Sequence, residues 1–416
     1  MMEVDAMPTT FEPTRRRLLG AAAGLATGRL GARAWAQGAP LPKEGRLVLV
    51  FLRGAYDGLS AAVPYADPDY ARLRPNVAIP APDGSMHASL RLDQTFALHP
   101  ALAPLLPLWQ QGVLTFVPAA GSPDPTRSHF EAQVQWEIGM PGKSNAERGW
   151  LNALAGLRGA ASPVALGVGE ANPKILAGPA QVRLIPRGAG ATREGVLGNE
   201  RARSALMDMY AGEDNMSKAF RQGAGSRMAS AQELMNEMNA ADNGAAVLGL
   251  AQDARHLGTL MRNDRRLRLG FLSAGGWDTH ANQGASDGIL ARNLANLAGA
   301  LVQLRRDFSG DGDVIAVISE FGRTAAENGS RGTDHGHGNA LWLIGNQVNG
   351  GRWHGRWSGL ARANLNEGRD LPVHHDFRSV FAQVLRTGFG LGERQLQEVF
   401  PGTAFDPAFG GLMRTA

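Results

Sequence analysis

The chain contains no cysteine. Disulfides, thiolate zinc sites and cysteine nucleophiles are therefore excluded, and any metal has to be held by histidine, carboxylate or hydroxyl oxygen. Several hydrolase and nucleotide signatures are missing too: there is no G-x-S-x-G, no P-loop and no H-E-x-x-H. A strong excess of one charge is also lacking. Setting aside residues 1–36, with five Arg and three acids, takes the net charge from +4 to +2, which gives little support for a nucleic-acid partner. Beyond that segment no run approaches the roughly eighteen apolar residues of a membrane helix, so no stable membrane span is expected.

What is present describes a globular protein. The 416 residues are 44% hydrophobic and 19% charged, enough for a sizeable core in one large α/β domain or two ordinary ones. The first 37 residues read as a targeting segment. Thr14-Arg15-Arg16-Arg17-Leu18-Leu19 is a twin-arginine pattern, Gly20 to Gly31 is small and apolar, and Ala34-Trp35-Ala36 is an A-x-A cleavage site. The expectation is export to the periplasm or beyond, with the twin-arginine translocase as a transient partner and residues 38–416 as the working domain. Substrates of that route generally cross the membrane folded, which suits a protein loaded with metal before export.

The most informative stretch is Asp313 to Gly345. An apolar run, Val314 to Ile318, stops at Ser319-Glu320-Phe321-Gly322-Arg323; a Gly/Asn-rich turn then leads to Asp334, His335 and His337 before a second apolar run, Leu341 to Ile344. Short apolar runs bounded by Gly and Asn read as buried strands, and open α/β sheets bind ligands at the carboxyl ends of their strands. A carboxylate followed by imidazoles at such an end looks like half of a metal site.

The other half is expected at other strand ends. Arg46 to Leu52 reads as a first strand ending in Arg53-Gly54-Ala55-Tyr56-Asp57-Gly58, with Asp57 either a turn aspartate or a ligand. Leu267 to Leu272 ends in Gly275-Gly276-Trp277-Asp278-Thr279-His280, where Asp278 and His280, two apart, can face one point. After a strand at 113–117, Ser128 and Glu131 make an S-x-x-E capping box at the start of a helix reaching about Ile138. A hydroxyl there, beside Arg127, is also a candidate nucleophile, because helix N-termini attract anions. Further helices are expected at 101–111, 289–308 and 377–388, and a strand at 164–168, with irregular chain to about Gly198. Residues 201–263 read as a Met-rich helical insertion or cap. His374 and His375 read as structural, and Trp353 and Trp357 as buried, with stacking on sugars as the alternative. The collected set, Asp57, Ser128, Asp278, His280, Glu320 and His335, has the oxygen and nitrogen mixture that suits Zn, Mn, Mg or Ca.

The twin-arginine leader, FLRGAYDGL, RSHFEAQ, GGWDTH, SEFGRT with NGSRGTDHGHG, and VFPG resemble, in that order and over essentially the whole chain after the leader, the bacterial family catalogued as domain of unknown function 1501. The resemblance implies the alkaline-phosphatase-like superfamily, with sulfatases, phosphopentomutases and phosphoglycerate mutases. That is a three-layer α/β/α sandwich with a mostly parallel sheet. Gly332-Thr333-Asp334-His335 is similar to a phosphopentomutase tetrapeptide whose His binds metal. Asp278 and His280 look like the superfamily's Asp…His pair, at closer spacing than usual. Asp57 stands where the first strand's metal Asp belongs, and Ser128, or Thr126, where the nucleophile belongs. One departure matters: Glu320-Phe321 stands where the superfamily has Asp-His. The site then holds one ion, borrows His337, or binds without turnover. The lack of Cys and of a C/S-x-P-x-R sequence speaks against formylglycine chemistry.

Two functions follow as expectations. The first is an exported metal-dependent hydrolase of phosphate or sulfate esters, holding one or two divalent ions on Asp57, Asp278, His280, Glu320, His335 and His337. Ser128 is its nucleophile, with Arg127 and Arg323 on an anionic ester or glycan substrate. The second is a non-catalytic periplasmic binding protein with a degenerate site.

Overall fold

The computed structural model describes residues 43–159, 163–240 and 249–414; the twin-arginine segment, 1–37, lies outside the described residues. The first strand, β1 (Leu47–Leu52), is Leu-Val-Leu-Val-Phe-Leu with every residue buried. An unbroken apolar run of that kind suits a strand covered on both faces, as in parallel α/β sheets. Its side chains alternate between two cores. Val48, Val50 and Leu52 pack with Leu257, Leu260, Leu294, Leu297 and Leu301, while Leu47, Leu49 and Phe51 pack with Trp136, Trp150, Phe377 and Phe381.

Seven more strands complete the sheet: β2 (Leu114–Gly121), β3 (Ala165–Val168), β4 (Val182–Ile185), β5 (Leu269–Ala274), β6 (Val314–Ile318), β7 (Asn339–Ile344) and β8 (His375–Asp376). Their order is β8-β2-β7-β6-β1-β5-β3-β4. β1 runs parallel to β5 and β6, β3 to β5 and β4, and β8 to β2; β7 alone is antiparallel to its neighbours β6 and β2. Helices cover both faces. On one side lie α1 (His129–Ile138), α2 (Trp150–Gly156), α7 (Phe377–Phe389) and α8 (Glu393–Val399); on the other lie α5 (Leu250–Asn263) and α6 (Ile289–Asp307). The expected three-layer arrangement with a mostly parallel sheet is what the chain adopts.

Because β7 is reversed, the residues before it share an edge with those after β1, β2, β5 and β6. That edge carries the site.

The Met-rich stretch is three helices with different surroundings. α3 (Glu200–Met209) buries no residue, and α4 (Asn215–Ala240) packs against β4 and α5. α5 is a layer helix, with Leu257, Leu260 and Met261 in the core. Met209 and Met216 are exposed, so the methionines do not form one core stripe. Two strands of this sheet escaped the sequence reading. β4 lies in Pro/Gly-rich chain and has only Ile185 buried, the weak pattern of an edge strand. β8 is two residues long and pairs with Ala120–Gly121. Trp353 stacks on Phe96 at 3.9 Å and on Phe116 at 4.9 Å, which makes it packing rather than a sugar platform.

Candidate metal centre

Three loops build the centre. After β2 the chain reaches Ser128, whose extended backbone (φ −86°, ψ 119°) starts α1, so His129 is the first helical residue. After β5 come Asp278 and His280, after β6 Glu320 and Phe321, and before β7 His335. Glycines let these loops touch. Gly54 has φ +111°, and a Cβ there would come within 2.8 Å of the Asp278 backbone nitrogen; one on Gly332 would lie 2.3 Å from the His280 carbonyl carbon. Neither approach tolerates a side chain.

Three imidazoles converge on Asp278. Its Oδ1 lies 3.0 Å from His280 Nε2, 3.3 Å from His335 Nε2 and 3.5 Å from His129 Nε2. His280 Nε2 and His335 Nε2 are 2.9 Å apart, and the ligand atoms of His129, Asp278 and His335 all lie within 4.8 Å of one another. Each ring is fixed from behind through Nδ1. His129 Nδ1 meets Glu320 Oε1 at 2.8 Å, His280 Nδ1 meets Asp334 Oδ1 at 3.1 Å, and His335 Nδ1 meets the Arg127 carbonyl at 2.9 Å. Carboxylate and carbonyl oxygens only accept, so each Nδ1 carries a proton, and in a neutral ring Nε2 is then the atom free to bind an ion. Phe321 packs flat against His129, with ring centroids 4.9 Å apart.

The electrostatics follow from these partners. Burial raises the Glu320 carboxyl, but hydrogen bonds from His129, Gln133 and the Gly54 N–H outweigh it and hold it below the usual range. The bond to Glu320 raises the His129 imidazole, although burial opposes it. Burial lowers His335, helped by the nearby His129 and Arg323 charges. Burial also pushes Asp278 upward, yet Arg323, His280 and His129 together keep it low. Three imidazole Nε2 atoms thus face the Asp278 Oδ1, which also accepts from Arg323. The Nε2 of His129 is buried and has no hydrogen-bond partner. Such an arrangement calls for a cation at its centre, and inward Nε2 atoms backed by Nδ1 partners are how proteins hold metal. A divalent ion fits these residues.

The other expected site residues have different duties. Asp57 is fully buried and forms a two-point ion pair with Arg74 at 2.6 and 3.1 Å, with Ser60 and Gln283 donating as well. It is not among the converging groups, because a guanidinium already occupies its oxygens. His337 Nε2 lies 3.0 Å from the carbonyls of both Ser122 and Asp124, so this ring ties a loop and does not face Asp278. Glu320 stands behind His129 as its partner. Arg323 is wholly buried; its Nε donates to the Ala55 carbonyl, one terminal nitrogen to Thr333 and the other to Gly54, Trp277 and Asp278. It staples three loops together, which leaves no free edge for a substrate anion. Arg127 pairs with Glu367 at 2.9 Å and Asp370 at 3.3 Å.

Ser128 caps α1 by backbone position only. Its side chain makes no cap hydrogen bond, and Glu131 instead accepts from Thr126 at 2.8 Å. The capping box is therefore not formed, and the exposed Ser128 hydroxyl sits between the residue whose carbonyl holds His335 and the ligand-bearing His129. Sequence reading missed His129. Its signal was its place in RSHFEAQ, one position after the hydroxyl that drew attention. His375 accepts the Arg356 N–H at 2.6 Å and is structural, as expected.

No curated protein matches the chain. Among solved structures, phosphonoacetate hydrolase from Sinorhizobium meliloti 1021, in complex with phosphonoacetate, is similar over 68% of this chain and 57% of its own, at 11% identity and a TM-score of 0.30. The present chain thus spans just over half the length of that protein. Ps i-CgsB in complex with k-i-k-neocarrahexaose is similar over 85% of this chain and 74% of its own, at 12% identity and a TM-score of 0.36. Likenesses this distant carry no argument about chemistry. Over residues 44–400 the sequence fits one family throughout, and the chain belongs to the family described as "Protein of unknown function (DUF1501)".

Proposed function

We propose that this protein is a metal-dependent hydrolase of phosphate or sulfate esters, of the alkaline-phosphatase-like kind, and that His129, Asp278, His280 and His335 hold its ion. One observation carries the reading: three imidazoles, each fixed through Nδ1, turn their Nε2 atoms on one carboxylate oxygen. Three nitrogens and one oxygen favour zinc or another first-row ion over magnesium and calcium, which take oxygen ligands. When bound, such an ion supplies Lewis-acid polarisation of an ester oxygen and acidifies a nearby hydroxyl.

The chain's own residues divide the remaining work. Glu320, Asp334 and the Arg127 carbonyl orient the rings. Phe321 excludes water from one side of His129. Ser128, its hydroxyl free of any cap bond, is the nucleophile this reading requires. The twin-arginine pattern supports export to the periplasm, with the translocase as partner in transit. Among the described residues no helix is long and apolar enough to cross a membrane.

A second reading, a non-catalytic periplasmic binding protein with a degenerate site, is favoured by one observation: Arg127 and Arg323 are both committed to protein acceptors, which leaves neither free to stabilise a reacting anion. The deciding experiment is elemental analysis of the purified protein beside a His335→Ala variant, followed by a screen of phosphate and sulfate esters. Stoichiometric metal in the wild type, lost in the variant, with turnover abolished in Ser128→Ala, establishes the hydrolase. Metal without turnover of any ester favours the binding protein. A wild type that takes up no ion sinks the metal centre.

A further inference from the structure

We infer that the centre holds one divalent ion, and that the buried guanidinium of Arg323 is the fixed second positive charge beside it. The inference rests on the metal reading above and concerns how many ions that site accepts. A second ion would need its own carboxylates or imidazoles at the same edge, and the three further ligands that the sequence offered there are already engaged. Asp57 is bracketed by Arg74 and also accepts from Ser60 at 2.7 Å and Gln283 at 2.8 Å. Glu320 receives Gly54 N–H at 2.8 Å, Gln133 at 2.7 Å and His129 at 2.8 Å on Oε1, and Ser319 at 2.8 Å on Oε2. His337 is turned to two carbonyls.

Arg323 supplies what a second ion would otherwise bring. Its side chain has no solvent exposure, and its terminal nitrogen lies 2.5 Å from Asp278 Oδ1, the oxygen on which the imidazoles converge. A guanidinium stays charged at every physiological pH. Four backbone carbonyls, of Gly54, Ala55, Trp277 and Thr333, hold it in place. A dication next to that immovable charge, with Asp57, Glu320 and His337 already claimed, is disfavoured by Coulomb repulsion in a partly desolvated site. Asp278 is thus shared between one permanent protein cation and one exchangeable ion. That differs from a symmetric two-ion clamp, in which both attacking and leaving oxygens meet metal.

The test is a count of bound ions. The full protein is stripped with chelator, saturated separately with Zn²⁺ and Mn²⁺, freed of excess ion and analysed for metal; the Mn²⁺ form is also examined by electron paramagnetic resonance. One equivalent and the six-line spectrum of an isolated Mn²⁺ are expected, unchanged in His337→Gln. Two equivalents, or the multiline spectrum of a coupled pair, overturn the inference while leaving the metal-centre reading intact. No bound ion overturns that reading, and the inference with it. Arg323→Gln removes the charge and releases Asp278 Oδ1 as a bridging ligand while keeping hydrogen-bonding groups, and a second, weaker equivalent is expected at millimolar ion. A folded Arg323→Gln protein that still stops at one refutes the part assigned to Arg323. Should that variant fail to fold, the wild-type count still decides the number of ions.

Discussion

Two polar clusters lie at the carboxyl edge of the same sheet, and the same loops feed both. In the first, Asp57, Ser60, Arg74, Thr279, Gln283 and Thr333 are buried and every donor finds an acceptor: Gln283 accepts from Thr279 and Thr333, each at 2.8 Å, and donates to Asp57, while Arg74 also reaches the carbonyls of Thr324 and Ala325. In the second, His129, His280 and His335 turn Nε2 atoms on one carboxylate oxygen, and the Nε2 of His129 has no hydrogen-bond partner. Thr279 enters the first cluster while its neighbours Asp278 and His280 enter the second, the alternation of an extended chain. Complete pairing is what a buried network needs to be stable. The incompleteness of the other cluster, held in place by partners behind each ring, marks it as prepared for something not of the chain. The contrast separates the aspartate that builds the edge, Asp57, from the one on which the imidazoles converge, Asp278.

Substitutions can break this contrast, and the largest effect belongs to the imidazoles. His129→Ala and His335→Ala are each expected to take bound metal from stoichiometric to background by elemental analysis, with the apo protein melting within a few degrees of wild type. Loss of fold in place of loss of metal would erase the distinction. Next comes Arg74→Ala. Removing one member of a buried pair leaves an uncompensated charge, and about 3–5 kcal/mol of stability should be lost in denaturant titration, with metal content retained in whatever remains folded. Glu320→Gln comes third: the His129 ring loses its charged partner, and competition with a chelator should show affinity reduced about 10–100-fold.

Acid sharpens the comparison from the other side. Burial alone would raise Asp57, but Arg74, Ser60 and Gln283 hold its folded carboxyl below the ordinary value. The stability it contributes is therefore full above the unfolded aspartate value of about 4 and is lost as pH falls through the folded value. Unfolding midpoints measured from pH 7 down to pH 3 should fall below about pH 4, more steeply in wild type than in Asp57→Asn. The smallest effect is that of Ser128→Ala on stability. With no cap bond to lose, the change should stay within about 0.5 kcal/mol. A loss near 1 kcal/mol, typical of a working N-cap, would show that the hydroxyl is a cap after all.

Much of the edge was legible before any coordinates. Val314 to Ile318 and Leu267 to Leu272 announce buried strands by unbroken apolar runs, and the polar clusters that stop them had to lie at strand ends. Asp278 and His280 were readable as a pair from their spacing. Asp57 and His337 misled for one reason: a carboxylate or imidazole at a strand end looks the same in sequence whether it faces a ligand or the fold. Arg74, seventeen residues on from Asp57, carries no local mark of being its partner. His129 stayed hidden because an S-x-x-E pattern explained its neighbours well enough. The pattern is present and the box it predicts is not.

Local chemistry therefore determined which segments are strands, that any metal must be held by nitrogen and oxygen, and that polar residues gather where strands end. Those properties depend on neighbouring residues and on solvent, both of which a sequence displays. Tertiary structure alone decided which polar residues meet. It reversed β7, so that His335, which precedes its strand, shares an edge with Asp278, which follows one. It set Phe321 under His129 and gave Asp57 to Arg74. The function of such a side chain depends on whether a partner from a distant part of the chain reaches it before a ligand does, and only the folded arrangement of the loops fixes that.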